Sequence, residues 1–318
     1  MKITKNILLL PKNKIDIYEE LHNAGKDKLE VKKTIRNTGI KSVHKVDSQT
    51  LSDFVFEGLS NIKKDYHDFF ENVDSVIVVS QSFDHRIPSL STRIQDKFNI
   101  PEKAFCIDIM DGCSGYIKSL GLTRMLHQIG CKKFLVISGD LNSKMTTNSE
   151  IGTKILFGDG ISVSIIEPDE TESEIRLFNR GDNENIINCS MDSNKMNMNG
   201  FEVFRFTKNE IPRLINNYLS ESGKSINDFD LLALHQASKL VVSTICNSVG
   251  FKNNLCQDFS CDEIGNLGAG SIGAWISQIN DLTKMDSLKM LAVGFGSGLS
   301  WGLISISLDV CVNEVIYV

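Results

Sequence analysis

Several things are scarce in this chain, and each scarcity excludes something. No two of its eight cysteines form a Cys-x-x-Cys pair; they are scattered at positions 106, 113, 131, 189, 246, 256, 261 and 311. That argues against a zinc site. No apolar run approaches the ~18 residues a membrane span needs. The opening Met1-Lys-Ile-Thr-Lys-Asn-Ile-Leu-Leu-Leu-Pro11 has too short an apolar stretch for a secretion signal. The expectation is a cytoplasmic protein with reduced thiols. Positive charge is not in excess either: 34 Lys and Arg face 40 Asp and Glu, a net charge of −6, which argues against nucleic acid as a partner. No glycine fingerprint of a dinucleotide site is present. No internal period of 20–50 residues marks a repeat protein.

What is present is an alternation of strands and helices. Ser75–Ser80 and Lys133–Gly139 are continuous apolar runs of the kind buried on both faces of a parallel sheet. Leu156–Ile166 reads as a glycine turn entering a strand, and Phe229–His235 as a buried strand ending on a histidine. Met290–Gly302 reads as a strand, a glycine-rich turn and the start of a last strand. Residues 48–65 place Leu51, Phe54, Val55, Leu59 and Ile62 on one helical face, with Ser48 as N-cap. Helices are also predicted over Pro88–Phe98, Asn209–Leu219 and Leu240–Val249, and Gly265–Gly273 is a small-residue loop leading into another. Residues 167–200 are polar and read as a linker or surface excursion. The alternation predicts an α/β fold. The 318 residues suffice for one large domain or two halves of about 150.

One stretch carries chemistry. In Phe105–Tyr116, Phe105, Ile107 and Ile109 alternate as in a strand; the pattern breaks at Asp111-Gly112, and helical spacing starts beyond it. Cys113 therefore sits where a strand hands over to a helix. The unpaired N–H groups and positive dipole end of that helix favour thiolate over thiol, and could hold the oxyanion formed when a thiolate attacks a thioester. His235 and Asn266 are two further polar residues at a strand end and a glycine turn.

The order of five segments resembles the β-ketoacyl-acyl-carrier-protein synthase III family of the thiolase superfamily. They are Asp111-Gly-Cys-Ser-Gly115, Phe157-Gly-Asp-Gly160, His235-Gln-Ala237, Gly265-Asn266 and Gly294-Phe-Gly-Ser-Gly-Leu-Ser-Trp-Gly302. The Arg36–Ile40 turn and the Ile87-Pro-Ser89 step also look like the family. The resemblance implies a duplicated thiolase-like fold in five layers, α/β/α/β/α, usually a homodimer. Residues 1–170 would carry the nucleophilic cysteine and residues 171–318 the histidine and asparagine. It implies that Cys113 takes an acyl group from a thioester and that His235 and Asn266 bind a malonyl thioester. Decarboxylation and condensation then give a 3-oxoacyl product. The backbone N–H groups of Cys113 and Ser297 would form the oxyanion hole; the family usually has glycine where Ser297 stands. Phe204, Gly296 and Gly298 would line the substrate pocket, and Ile87 would reach into the partner subunit's acyl pocket. No metal or other cofactor is expected. The substrates would be acyl-CoA or acyl-carrier-protein thioesters.

The chain departs from the family in two places. The adenine clamp of members that use coenzyme A falls near Lys33 and Ile151, which cannot stack on both faces of a base. After His235 the chain reads Ala237-Ser238-Lys239-Leu240, displacing the family's basic residue by one place. These changes point to a specialised lipid, glycan or secondary-metabolite pathway rather than the start of fatty-acid synthesis. An acidic carrier protein needs a basic patch, for which Lys208, Arg213, Lys239 and Lys252 are candidates. Two alternatives stand beside this reading. One is an acyltransferase of the same fold acting on an amine or hydroxyl. The other is a non-catalytic subunit that binds a carrier protein.

Overall fold

The computed structural model describes residues 1–146, 151–170, 173–181, 186–251 and 260–318. The main sheet strands are β1 (Lys2–Leu10), β2 (Ser75–Val79), β3 (Phe105–Ile109), β4 (Phe134–Leu141), β5 (Asp159–Glu167), β6 (Ile175–Asn179), β7 (Leu231–Leu234), β8 (Leu288–Gly296) and β9 (Ser300–Tyr317). The helices that matter for the site are α1 (Lys28–Thr38), α2 (Leu51–Asp65), α3 (Leu90–Lys97), α4 (Gly115–Gln128), α5 (Gly200–Ser222), α6 (Lys239–Val249) and α7 (Ser271–Ser277).

The strands fall into two sets with one topology. The first runs β3-β2-β4-β5-β1 and the second β7-β8-β9-β6. In the first, β2 is parallel to β4, β4 antiparallel to β5, and β5 antiparallel to β1. In the second, β7 is parallel to β8, β8 antiparallel to β9, and β9 antiparallel to β6. The distal part of β9 then runs parallel beside β1 and joins the two sets.

Burial sorts the layers. Val76 and Val78 of β2 enter one apolar cluster with Phe54, Val55, Leu59 and Ile62 of α2 and Ile94 of α3. Ile77 and Val79 of the same strand enter the other cluster, with Ile117 and Leu120 of α4 and Ile272 of α7. The alternation of a strand's side chains puts these sets on opposite faces, so the first sheet is covered on both sides. Helix α4 packs on β2 and β4 and also on β8 and β9; α7 packs on β1 and β5 and also on β7 and β9. These two helices are the middle layer, and α5 and α6 cover the far side of the second sheet. The five layers are those the resemblance implied.

The middle layer needs small residues. A Cβ at Gly273 in α7 would fall on the Ser162 hydroxyl of β5. Gly273→Ala should therefore destabilise the fold by about 1–3 kcal/mol, the usual cost of overpacking. A lower urea midpoint at unchanged m-value checks this.

Local expectations shift where capping or pairing decides. The N-cap of α2 is Thr50, not Ser48: Thr50 and Asp53 form a reciprocal capping box. Helix α5 starts nine residues earlier than the apolar pattern suggested, capped by Asn199, and continues through Pro212. Residues 167–200 are more than a linker, because Ile175–Asn179 pairs with Ser300–Ile304 as strand β6.

Candidate active site

Cys113, His235 and Asn266 come from three separate segments and line one cavity of about 250 Å³. Each stands at the carboxyl end of a sheet strand or in a turn beside one, where open α/β sheets place ligands. Cys113 lies between β3 and α4. Asp111 Oδ1 accepts from the Gly112 N–H at 2.8 Å, its other oxygen pairs with Lys118, and Gly115 N–H donates to Gly112 O at 2.7 Å. Ser114 Oγ, one residue on, hydrogen-bonds Ser300 Oγ at 2.8 Å, which ties the cysteine turn to the β8–β9 hairpin. A Cβ at Gly296 would stand 2.9 Å from Cys113 Cβ and 3.3 Å from its Sγ. Glycine there is a matter of space beside the sulfur.

His235 follows β7. Its N–H donates to Val293 O at 2.9 Å, and its ring stands edge-on to Phe295, 5.2 Å between centroids. Burial drives its pKa down to about 3, so the imidazole is neutral at any ordinary pH. Its Nδ1 is buried and has no hydrogen-bond partner among the described residues. Asn266 is held by a backbone bridge to Phe157. Its Oδ1 accepts from Gly268 N–H at 2.9 Å and from Ser271 Oγ at 3.2 Å. With the oxygen occupied, the network leaves the amide Nδ2, a donor, as the end free for a ligand.

The cysteine itself differs from expectation. Burial, with the carboxylates of Asp140 and Asp111 adding to it, pushes the Cys113 thiol up to about 12. Position at a helix start favours thiolate, but desolvation and two negative charges outweigh it. The resting pair is a neutral thiol and a neutral imidazole.

The remaining expected site residues divide. Phe204 and Gly296 line the cavity with the triad. Ser297 borders a second cavity of about 110 Å³, lined also by Gln81, Met110, Met145, Met191 and Met196. Ile187 lines both cavities. Gly298, at φ +123°, shapes the hairpin turn and lines neither. Ile87 is 85 % exposed and borders neither cavity within one chain. Of the basic candidates, Lys208 and Lys239 are exposed beside the cavity-lining residues Thr207, Ser238 and Leu240. Arg213 instead pairs with Glu210 and borders a different hollow beside Trp301. Lys252 lies outside the described residues. Lys33 is an exposed residue of α1, and Ile151 begins a short helix ending at Leu156.

Sequence reasoning missed Gln81, Asp140 and the four methionines. None belongs to one of the five segments; they meet only because the ends of β2, β3 and β4 converge with one another and with the segment near Met191–Met196. Asp159, in the Phe157-Gly-Asp-Gly160 segment, plays a structural part. It accepts from Val46 N–H at 2.9 Å and from Ser143 N–H at 2.8 Å.

Comparison with known proteins identifies the family of the chain. Residues 107–182 match the family described as 3-oxoacyl-[acyl-carrier-protein (ACP)] synthase III, and residues 219–308 match its C-terminal part, together just over half of the chain. The beta-ketoacyl-[acyl-carrier-protein] synthase III of Streptococcus gordonii is 27 % identical over 289 residues, covering 85 % of this chain and 89 % of the relative. The protein of the same name from Staphylococcus haemolyticus is 29 % identical over 271 residues, covering 83 % and 86 %. The crystal structure of a 3-oxoacyl-(acyl-carrier protein) synthase from Burkholderia xenovorans superposes with a TM-score of 0.89 at 22 % identity, covering 100 % of this chain and 97 % of that one. The chain therefore belongs to the 3-oxoacyl-[acyl-carrier-protein] synthase III family and is a condensing acyltransferase of that type.

Proposed function

We propose that Cys113 takes an acyl group from a thioester and that His235 and Asn266 hold a malonyl thioester for decarboxylative condensation. The observation that carries this is the convergence of the three side chains on one cavity. In the first half-reaction the sulfur, once its proton has left, attacks the thioester carbonyl. The oxyanion is held by the backbone N–H groups of Cys113 and Ser297, and the carrier thiolate departs with a proton. In the second, malonyl loses CO2 and leaves an enolate. Two neutral donors, the His235 ring N–H and Asn266 Nδ2, stabilise its oxygen. The enolate carbon attacks acyl-Cys113, the 3-oxoacyl thioester leaves, and the released thiolate recovers its proton from water. A neutral imidazole suits this work, since it does not pair with and retain the carboxylate that must be lost.

The wide cavity takes the thioester arm, with Phe204 along its wall. The smaller, methionine-lined cavity behind Ser297 takes the acyl chain. A hollow of roughly 150 Å³ holds a benzene, so about 110 Å³, lined by Gln81, Asn188 and Asn194 as well as by methionines, has the volume for a chain of about four or five carbons. Thioether side chains adapt to irregular chains. Met145→Trp, which fills the hollow, should slow Cys113 acylation by such chains at least about tenfold while leaving acetyl transfer within about threefold. Rates of adduct formation by mass spectrometry check this; an unchanged chain-length profile would put the acyl chain elsewhere.

An acidic acyl carrier protein fits the exposed Lys208 and Lys239, with Arg36 beside the cavity-lining Asn37. A homodimer fits strand β3, which among the described residues pairs with β2 alone and carries the exposed Phe105 at its start and Met110 just past its end. The division into residues 1–170 and 171–318 follows the repeated strand order. The altered clamp and histidine segments support a specialised pathway.

The test is intact-protein mass after incubation with acetyl-CoA, longer acyl-CoAs and acyl-carrier proteins, followed by 13C-labelled malonyl thioester. The expected result is an adduct that discharges as labelled 3-oxoacyl product. An adduct discharged onto an amine or hydroxyl, with no malonyl carbon in the product, would instead mark the alternative acyltransferase.

A further inference from the structure

The mechanism above leaves unused a buried carboxylate that touches two turns of the site. Asp140, next to last in β4, is fully buried. Its Oδ1 accepts from Ser80 Oγ at 2.9 Å and from the Gln81 N–H at 2.6 Å. Its Oδ2 makes no hydrogen bond of normal geometry; it faces Gly268, where a Cβ would stand 2.5 Å away, and the nearby N–H of Ala269. The two turns it touches are both part of the site. Gln81 Nε2 donates to Ser297 Oγ at 3.4 Å and its side chain lies against Gly112, beside the nucleophile. Gly268 donates its N–H to Asn266 Oδ1. One carboxylate thus spans the wall behind the cysteine and the loop that aims the asparagine.

Resting on the reading of Cys113 as nucleophile, we propose that Asp140 is a positioning residue of the condensing site: its carboxylate holds the Gln81 and Asn266 turns in register, and its charge opposes a Cys113 thiolate. The titratable groups facing Cys113 are Asp140, Asp111, which is paired with Lys118, and the neutral His235. Among the described residues no lysine or arginine pairs with Asp140, and burial lifts its pKa to about 6. At neutral pH it is therefore mostly an uncompensated anion.

The experiment is Asp140→Asn, which keeps the shape and the Oδ1 bonds and removes the charge. Iodoacetamide alkylation of Cys113, followed by peptide mass across pH 6–10, should accelerate between about threefold and thirtyfold at pH 8, because a nearby unit charge has been lost. Condensation turnover should fall about tenfold or more as the amide meets Gly268 without an acceptor. Ser80→Ala removes one strut and leaves the charge; it should lower turnover with no shift in the alkylation profile. If the D140N alkylation profile superimposes on the wild type, or its turnover stays within twofold, the proposal is overturned. If D140N does not fold, S80A decides: a shifted alkylation profile or unchanged turnover in that variant overturns it equally. Alkylation needs no substrate, so failure of the proposed function, seen as no acyl adduct from any thioester, is read separately.

Discussion

Cys113→Ser should remove the acyl-enzyme adduct entirely and lower condensation by at least about 10³-fold and up to about 10⁶-fold, the scale of loss when a covalent nucleophile is removed. The size follows from the surroundings. A serine hydroxyl acts as a nucleophile only when an adjacent base is itself oriented by a third group. His235 is the base at hand, and its Nδ1 has no partner among the described residues to fix its tautomer or stabilise its cation. Its pKa of about 3 makes it a poor proton acceptor. Thiol chemistry tolerates this because a thiolate is intrinsically reactive and the proton has only to leave in a small fraction of molecules. A hydroxyl gains nothing comparable. The site is built for sulfur, in the same way that Gly296 is shaped to Sγ. Full acylation of the serine variant would mean that another group takes the acyl chain.

The parts of this site legible in the sequence are those with local causes. Cys113 was visible because the strand period stops at Ile109, a glycine turn intervenes, and a helix period starts. The two-faced burial of β2 was visible because five successive residues are apolar or small. Strand β6 was not visible: Ile175–Asn179 is half-exposed, and its pairing with β9 depends on residues 121 to 129 positions away, from Ser300 opposite Asn179 to Ile304 opposite Ile175. The ionisation of Cys113 was read the wrong way for a similar reason. The helix start is local and can be seen in sequence, but the burial of the thiol is set by the whole fold and the Asp140 charge comes from β4, which no motif connects to the cysteine. The methionine-lined cavity likewise exists only where β3, the turn after β4 and the segment near Met191–Met196 meet.

His235→Ala and Asn266→Ala should each lower malonyl decarboxylation by about 10²–10³-fold, the loss typical of removing one oxyanion donor, and should leave Cys113 acylation within about tenfold. Rates of CO2 release and of adduct growth, measured separately, check this; equal loss of both steps would mean the two roles are misassigned. The asymmetry arises because the enolate oxygen develops its charge in a dry cavity where each neutral donor counts. The Asn266 amide can serve only while Gly268 and Ser271 occupy its oxygen. Loss of Ser271 Oγ should therefore weaken decarboxylation in the same direction but by less. The histidine change has a second signature, in stability. In the folded chain His235 protonates near pH 3, whereas an unfolded histidine does so near 6.5, so between those values the unfolded chain binds more protons and stability falls as pH falls. Asp140 works in the opposite sense: its folded pKa near 6 stands above the carboxylate value of 3.8, so its contribution falls as pH rises through that window. In the wild type the two slopes offset each other between about pH 4 and 6. His235→Gln removes one of them. Relative to wild type, the variant's stability should shift by up to about 1.4 kcal/mol per pH unit across the histidine window, most in its favour at the acid end, with the Asp140 slope left uncompensated. Urea midpoints from pH 4 to 7 read the difference, and parallel curves for the two proteins would show that the imidazole titrates in the folded chain as it does in the unfolded one, near 6.5, and is not held neutral by burial.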